Sequence, residues 1–217
     1  SQDYHYEGCV VANKNSLNGI IENIRRGQRN KLNVLVNRYD GVNLPDNDCR
    51  ILIVDSLPIC DNLSDRYEME CREGSEVTIL KQVQKIEQGL GRSVRGEKDY
   101  SVIIIIGSDL VNFMMNHRTA SYFSPQTRKQ IEIANELVES LRQEILDSAD
   151  SRKNLLDLIG QSLKRDPNWK AYYQQEMDSM SVVEDNHHVY AIMEKEREYE
   201  YAAYNRNYEK ACTIVSE

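Results

Sequence analysis

Two runs of consecutive aliphatic residues constrain the fold of this chain more than any other feature. Ile51–Val54 and Ile103–Ile106 are apolar at every position, which is the pattern of strands buried on both faces of a parallel sheet. Two shorter strand candidates, at 8–12 and 32–37, precede them, and helical patterns separate the first pair and the last pair. The order strand, helix, strand, strand, helix, strand predicts an α/β fold with a mostly parallel sheet and flanking helices.

Capping residues predict where several helices begin and end. Ser16 is predicted to be the N-cap of the first helix and Gly27 to follow its last turn. Ser75 is predicted to cap the helix between the two long strands. The pair Ser124-Pro125 predicts a further helix start, with Ser as the cap and Pro at the first helical position.

The second half of the chain contains helical patterns only. Leu137, Leu141 and Ile145 recur at four-residue intervals, and an aromatic cluster around Trp169 recurs at helical spacing. Such a cluster favours helix packing over the alternative, which is stacking on nucleic-acid bases. We predict two parts: residues 1–116, a partial α/β domain, and residues 118–217, an α-helical accessory region.

Composition excludes several classes of protein. The 217 residues are 40% hydrophobic and 29% charged, as in globular proteins, and they contain no apolar run long enough to span a membrane. Residues 1–10 do not show the basic, apolar pattern of a signal peptide, and the five cysteines form no C-x-x-C pair, so we expect free thiols and a cytoplasmic location. His187-His188 lacks a second ligand pair, so no metal site is predicted. The net charge of −8 argues against a general nucleic-acid coat.

The stretch from Gln88 to Arg95 is the first candidate functional motif, and it reads Gln-x-x-Gly-Arg-x-x-Arg. The preceding apolar residues indicate that it lies on a helix, and Gln88, Arg92 and Arg95 would then share one face. Gly91 leaves space beside Arg92. Guanidinium groups bind two phosphate oxygens at once, so two of them beside an amide indicate an anion site. The alternative is an ordinary solvated helix. The apolar stripe consists of Ile79, Val83, Ile86 and Leu90.

The second candidate motif is the loop Asn37–Pro45, which follows a predicted strand. In parallel α/β sheets, ligands bind beyond the carboxyl ends of the strands, where this loop begins. Its Asp40-Gly41 pair is also a common turn, so a purely structural role is the alternative.

Together these motifs resemble the second RecA-like motor domain of superfamily 2 helicases. The resemblance is nearest to DEAD/DEAH helicases with a Gln-type sixth motif, including the DinG-like branch. In that family a strand leads into the fifth motif, (D/E)-G-x-D-x-P, then a helix carries the sixth motif, Q-x-x-G-R-x-x-R, and a D-Y strand follows. Here these are the loop Asn37–Pro45, the stretch from Gln88 to Arg95, and the strand entered at Asp99-Tyr100. The resemblance covers roughly residues 8 to 116.

The resemblance implies a fold and a set of roles. The first part would be a partial RecA-like, mostly parallel sheet, followed by the all-α region. Arg92 and Arg95 would act as fingers on the γ-phosphate of ATP, and Gln88 would help to place the phosphate or water. Asp40, Gly41 and Asn43 would approach the nucleotide ribose, with Gly91 also among the nucleotide-binding positions. Asn43 stands where many relatives have Asp, so it can donate or accept a hydrogen bond but carries no charge.

The sequence lacks two parts that phosphoryl transfer requires. It contains no G-x-x-x-x-G-K-[ST] phosphate loop and no Asp-Glu box to hold magnesium. The family carries both on its first RecA-like domain, so we expect that domain to be missing here, and the chain to be a C-terminal fragment of an ATP-dependent helicase. ATP and Mg²⁺ would bind the full-length enzyme, which would act on DNA or RNA, and the fragment alone would be inactive. The alternative is a non-catalytic interaction module on a motor-like scaffold, whose helical region binds a protein partner.

Overall fold

The structure is a computed structural model that describes residues 7–28, 31–37, 42, 44, 46–58, 62–93, 100–147, 151–180 and 187–216. It contains four short strands: β1 (Cys9–Ala12), β2 (Leu32–Leu35), β3 (Ile51–Asp55) and β4 (Val102–Ile106). β1 pairs with β2 and β3 pairs with β4, both in parallel. The predicted parallel pairing is therefore correct, but the described residues form two separate two-stranded sheets and not one continuous sheet.

Ten α-helices surround these strands in the described part of the chain, together with a 3-10 turn at Asp46–Asp48. Five precede or immediately follow β4, and the remaining five form a purely helical second half, as expected. The helices are α1 (Leu17–Arg25), α2 (Leu63–Cys71), α3 (Glu76–Leu90), α4 (Ser108–Met115), α5 (His117–Ala120), α6 (Pro125–Asp147), α7 (Ser151–Leu163), α8 (Pro167–Asp178), α9 (His187–Tyr204) and α10 (Tyr208–Ser216). None of the described helices is long and apolar enough to cross a membrane.

β3 is covered on one face only, so the prediction that it is buried on both faces is wrong. Val54 is 6% exposed, whereas Ile51 and Ile53 are 46% and 43% exposed. Successive side chains of a strand point to opposite faces, and α3 supplies the buried residues that pack with Val54. No described element covers the other face to the same extent, which is why the continuous apolar run did not produce continuous burial.

All four predicted capping residues lie at helix ends, and three of them form the expected capping contacts. Ser75 caps α3 by accepting from Thr78 N–H at 3.2 Å, and Ser124 accepts from Thr127 N–H at 3.3 Å at the start of α6. Gly27 has φ +85° and follows α1 in a Schellman motif. Ser16 directly precedes α1, as predicted, but it is in the αR region and its side chain accepts no N–H of the helix. The Asn13 carboxamide oxygen takes that place and accepts from Ser16 N–H at 2.8 Å.

The main core surrounds α3 and includes residues from the second half of the chain. Val83 and Ile86 of α3 are fully buried, and Phe123 and Val189 pack in the same cluster. Trp169 stacks on Tyr173 at a centroid distance of 6.2 Å, and the Tyr173 hydroxyl accepts from Gln130 of α6 at 2.8 Å. These contacts support helix packing as the role of the aromatic cluster. Phe123 and Val189 place the helical region directly against α3, the helix that leads into the candidate motif.

Candidate functional site

The candidate site lies where α3 ends. The predicted apolar stripe is confirmed, since Ile79, Val83 and Ile86 are buried and Leu90 is partly buried in the core. The helix stops at Leu90, and Gly91 is its C-cap, with φ −71° and its N–H bonded to Glu87 O at 2.9 Å. The sequence predicted that the stretch from Gln88 to Arg95 lies on a helix, but Gly91 lies at the end of α3 and not in a helix interior.

Arg92 lies beyond the helix, so the predicted continuous face of Gln88, Arg92 and Arg95 is not formed by α3. Its N–H bonds to Gly89 O at 3.1 Å, the short i to i−3 contact of a turn that tightens as a helix ends. Gln88 is exposed on the last turn of α3, and Arg92 is half-buried. Arg95 lies outside the described residues.

Arg92 joins the end of α3 to the second candidate motif, the loop Asn37–Pro45, through two hydrogen bonds. Its Nη1 donates to the carbonyl of Val42 at 3.1 Å, and its own carbonyl accepts from Leu44 N–H at 3.2 Å. Val42 and Leu44 are 2% and 8% exposed and pack with Ile20 and Ile24 of α1. The two sequence motifs, 50 residues apart, therefore meet where Arg92 contacts the buried residues Val42 and Leu44. Asp40, Gly41 and Asn43 flank that position but lie outside the described residues, and their predicted roles stay predictions.

Among the described residues, no atom crowds Gly91 enough to require a glycine there. A Cβ built on it would lie 3.4 Å from Glu87 O and no closer to any other neighbouring atom, and its φ is accessible to every residue. Gly91 is exposed, and its predicted role in nucleotide binding stays a prediction.

Ser93 is a buried residue of the site that the sequence did not indicate. It is fully buried, and its hydroxyl lies 2.6 Å from the hydroxyl of Ser101, immediately before β4. The contact holds the chain directly after Arg92 to the start of the strand. No local pattern distinguishes Ser93 from a solvent-exposed serine, so only its distant partner reveals the role.

A second group of residues missed by the sequence lies at the carboxyl ends of β3 and β4. Asp109, in the first turn of α4, accepts from Leu57 N–H at 3.0 Å. This hydrogen bond is the main reason that the Asp109 pKa is below its usual value, and the backbone N–H groups of Leu110 and Asp109 lower the pKa further. Gly107 has φ +89° and lies against the backbone of Ser56. The geometry locks the two strand ends together.

Comparison with known protein families places most of this region in one family. The sequence profile described as "Helicase C-terminal domain" matches residues 4–130, which is more than half of the chain. The chain belongs to the helicase C-terminal domain family. No curated protein and no solved structure gives a significant match.

The family match includes both candidate motifs of this helicase domain and continues past them. It runs beyond residue 116, through α5 and into the first turns of α6. The proposed division into 1–116 and 118–217 therefore remains a prediction, and α5 and the start of α6 lie within the matched range. Among the described residues, no group of three or more His, Cys, Asp or Glu side chains is placed to hold a metal ion.

Proposed function

We propose that this helicase domain is the second motor half of an ATP-dependent helicase or translocase that acts on DNA or RNA. The observation that carries the proposal is the contact of Arg92 with Val42 and Leu44, within the range of the family match. It brings the sixth-motif arginine to the fifth-motif loop, as a site that couples nucleotide to nucleic acid requires. A solvated surface arginine would have no reason to bridge these two segments.

The proposed chemistry follows from charge. During phosphoryl transfer, negative charge is spread over the γ-phosphate oxygens, and a fixed guanidinium stabilises that charge without reorganisation. Arg92 and Arg95 supply this charge from the second motor half, while Gln88 places the phosphate or the attacking water. The half-buried position of Arg92 and its bond to Val42 O restrict its motion.

The other parts of the nucleotide site are assigned by the same proposal. Asp40, Gly41 and Asn43 approach the ribose, and exposed Gly91 allows close approach of the nucleotide. ATP is the substrate, and Mg²⁺ neutralises its phosphate charge when bound. The phosphate loop that binds ATP and the carboxylates that hold Mg²⁺ belong to a first RecA-like domain, since this sequence has no Walker-type or Asp-Glu motif.

The proposal is tested by replacing Arg92 in the complete helicase. Arg92→Ala is expected to lower nucleic-acid-stimulated ATP hydrolysis by about 10³–10⁵, which corresponds to about 4–7 kcal/mol. Nucleotide binding should fall much less, because the finger acts mainly on the transition state. Arg95→Ala should behave alike, and Arg92→Lys should rescue only in part because an ammonium cannot reproduce the guanidinium fork.

A matched control is Arg142→Ala, because Arg142 is an exposed arginine of α6 with a side chain 69% accessible and a local contact to Glu139. This variant should hydrolyse ATP at the parental rate. If folded Arg92→Ala keeps hydrolysis within about threefold of the parent, a difference of about 0.65 kcal/mol, the finger role is wrong.

A second candidate function is a protein-interaction module, and exposed tyrosines favour it. Tyr201, Tyr204 and Tyr208 are 72%, 86% and 64% exposed around the turn between α9 and α10. Tyrosine is enriched at the centres of protein interfaces. A phosphate loop and an Asp-Glu box elsewhere in the same protein would favour the motor, and their absence from it would favour the module.

A further inference from the structure

The last turn of α3 is held from outside by the first turn of α6. Glu87 Oε1 accepts two hydrogen bonds from Ser124, at 2.9 Å from the backbone N–H and at 2.7 Å from the hydroxyl. The Ser124 hydroxyl is also the cap that accepts from Thr127 N–H. A carboxylate at a helix N-terminus is favoured by the unpaired N–H groups and by the helix dipole. Ser124 is the donor in both bonds, and the Glu87 carboxylate is the acceptor.

The backbone of the same residue bonds to Gly91, the C-cap of α3. The backbone carbonyl of Glu87 accepts the N–H of Gly91 at 2.9 Å, and this bond closes the final turn before Arg92. Glu87 is thus bound on one side to α6 through its side chain and on the other to the Gly91 turn through its backbone. Its neighbour Gln88 is one of the proposed nucleotide-facing residues.

These contacts form one continuous connection to the proposed site. It runs from Ser124 to Glu87, through Gly91 to Arg92, and then through Val42 to the fifth-motif loop. Phe123, beside Ser124, is 1% exposed in the core that surrounds α3, so the α6 end of the connection is fixed by packing. A displacement of α6 would therefore move the end of α3.

We infer that Glu87 is a positioning residue, through which the start of α6 orients Gln88 and Arg92 for phosphoryl transfer. The inference rests on the proposed function. It goes beyond that function by giving the start of α6 a role in hydrolysis through Glu87, which belongs to neither motif.

The test measures ATP hydrolysis by the complete helicase with changes at both ends of the contact. Glu87→Ala is expected to lower kcat at least fivefold, with the KM for ATP within twofold of the parent. Glu87→Gln should retain at least half of kcat, because its amide oxygen can accept both bonds. Ser124→Ala should lower kcat at least twofold, whereas Ser124→Thr, which keeps a hydroxyl, should not. Gln84→Ala, at an exposed position of α3 one turn earlier, is the matched control.

Amide hydrogen exchange of the 217-residue chain gives an independent readout. In Glu87→Ala, the amides of Gly91 and Arg92 should exchange at least tenfold faster, while those near Val83 stay unchanged. If Glu87→Ala does not fold, Ser124→Ala decides, since it removes only one of the two bonds. A folded Glu87→Ala that keeps kcat within twofold of the parent overturns the inference, whether or not exchange increases; where Glu87→Ala does not fold, a folded Ser124→Ala that keeps kcat within twofold does the same. Arg92→Ala is measured in parallel: if it also keeps hydrolysis, the proposed function itself fails.

Discussion

Replacement of Gly107 by alanine should destabilise the domain through both backbone strain and a close contact. Gly107 has φ +89°, which L residues rarely adopt, and a Cβ there would lie 2.9 Å from Ser56 N and 3.0 Å from Asp109 Oδ1. Neither neighbour can move freely. The Ser56 N–H is bonded to Ile106 O at 3.2 Å, and Asp109 accepts the N–H of Leu57.

The size of the effect can be estimated from these contacts. An unfavourable φ costs about 1–3 kcal/mol, and the loss of one backbone hydrogen bond costs about 0.5–1.5 kcal/mol. The free energy of unfolding should therefore fall by about 2–4 kcal/mol. For a chain of this length, each kcal/mol shifts Tm by about 2–4 °C, so the Tm should fall by about 4–16 °C.

Two other glycines separate the contributions. Gly27 has nearly the same φ, +85°, but a Cβ there meets no atom within 4 Å, so Gly27→Ala should show the backbone strain alone. Gly160 lies inside α7 with open space around it, and Gly160→Ala should stabilise by up to about 1 kcal/mol through helix propensity. Thermal unfolding followed by circular dichroism should rank the proteins Gly160→Ala, parent, Gly27→Ala and Gly107→Ala, from most to least stable. A Gly107→Ala protein as stable as Gly27→Ala would refute the reasoning from the close contact.

Three further outcomes are expected. The 217-residue chain alone should release no phosphate from ATP above a protein-free blank, because its sequence has no phosphate loop, and clear turnover would contradict the need for a first motor domain. Asp109→Asn should lower the Tm at pH 7, and the difference from the parent should shrink as the pH falls below the unfolded pKa of about 3.9. The reason is that the folded pKa of Asp109 is lowered, so its stabilisation is present above the unfolded pKa and is lost as the pH falls through the folded value. A Tm difference that stays the same on acidification would count against this. Limited proteolysis should not release a folded 118–217 piece early, because Phe123 and Val189 pack against α3, and immediate release would mean that this packing is weak in solution.

Local patterns in the sequence determined the elements of this protein. The four-three-four spacing of apolar residues placed α3 and its buried side, because an α-helix returns to the same face every 3.6 residues. Ser75 and Ser124 located helix starts, since a cap acts within three residues of itself. The order of the two motifs indicated the helicase relation that the family match then confirmed at the level of the C-terminal domain.

Tertiary structure alone decided how these elements meet. The sequence suggested that Arg92 continues a helical face, but α3 ends at Leu90 and Arg92 turns to Val42, 50 residues away. The apolar run in β3 suggested two buried faces, but the described helices cover only one. No local pattern in the sequence indicates that Glu87 binds Ser124, which lies 37 residues away. Periodicity reports which side of an element is apolar, whereas exposure, the end of a helix and the partner of a polar side chain depend on atoms that folding brings from distant parts of the chain.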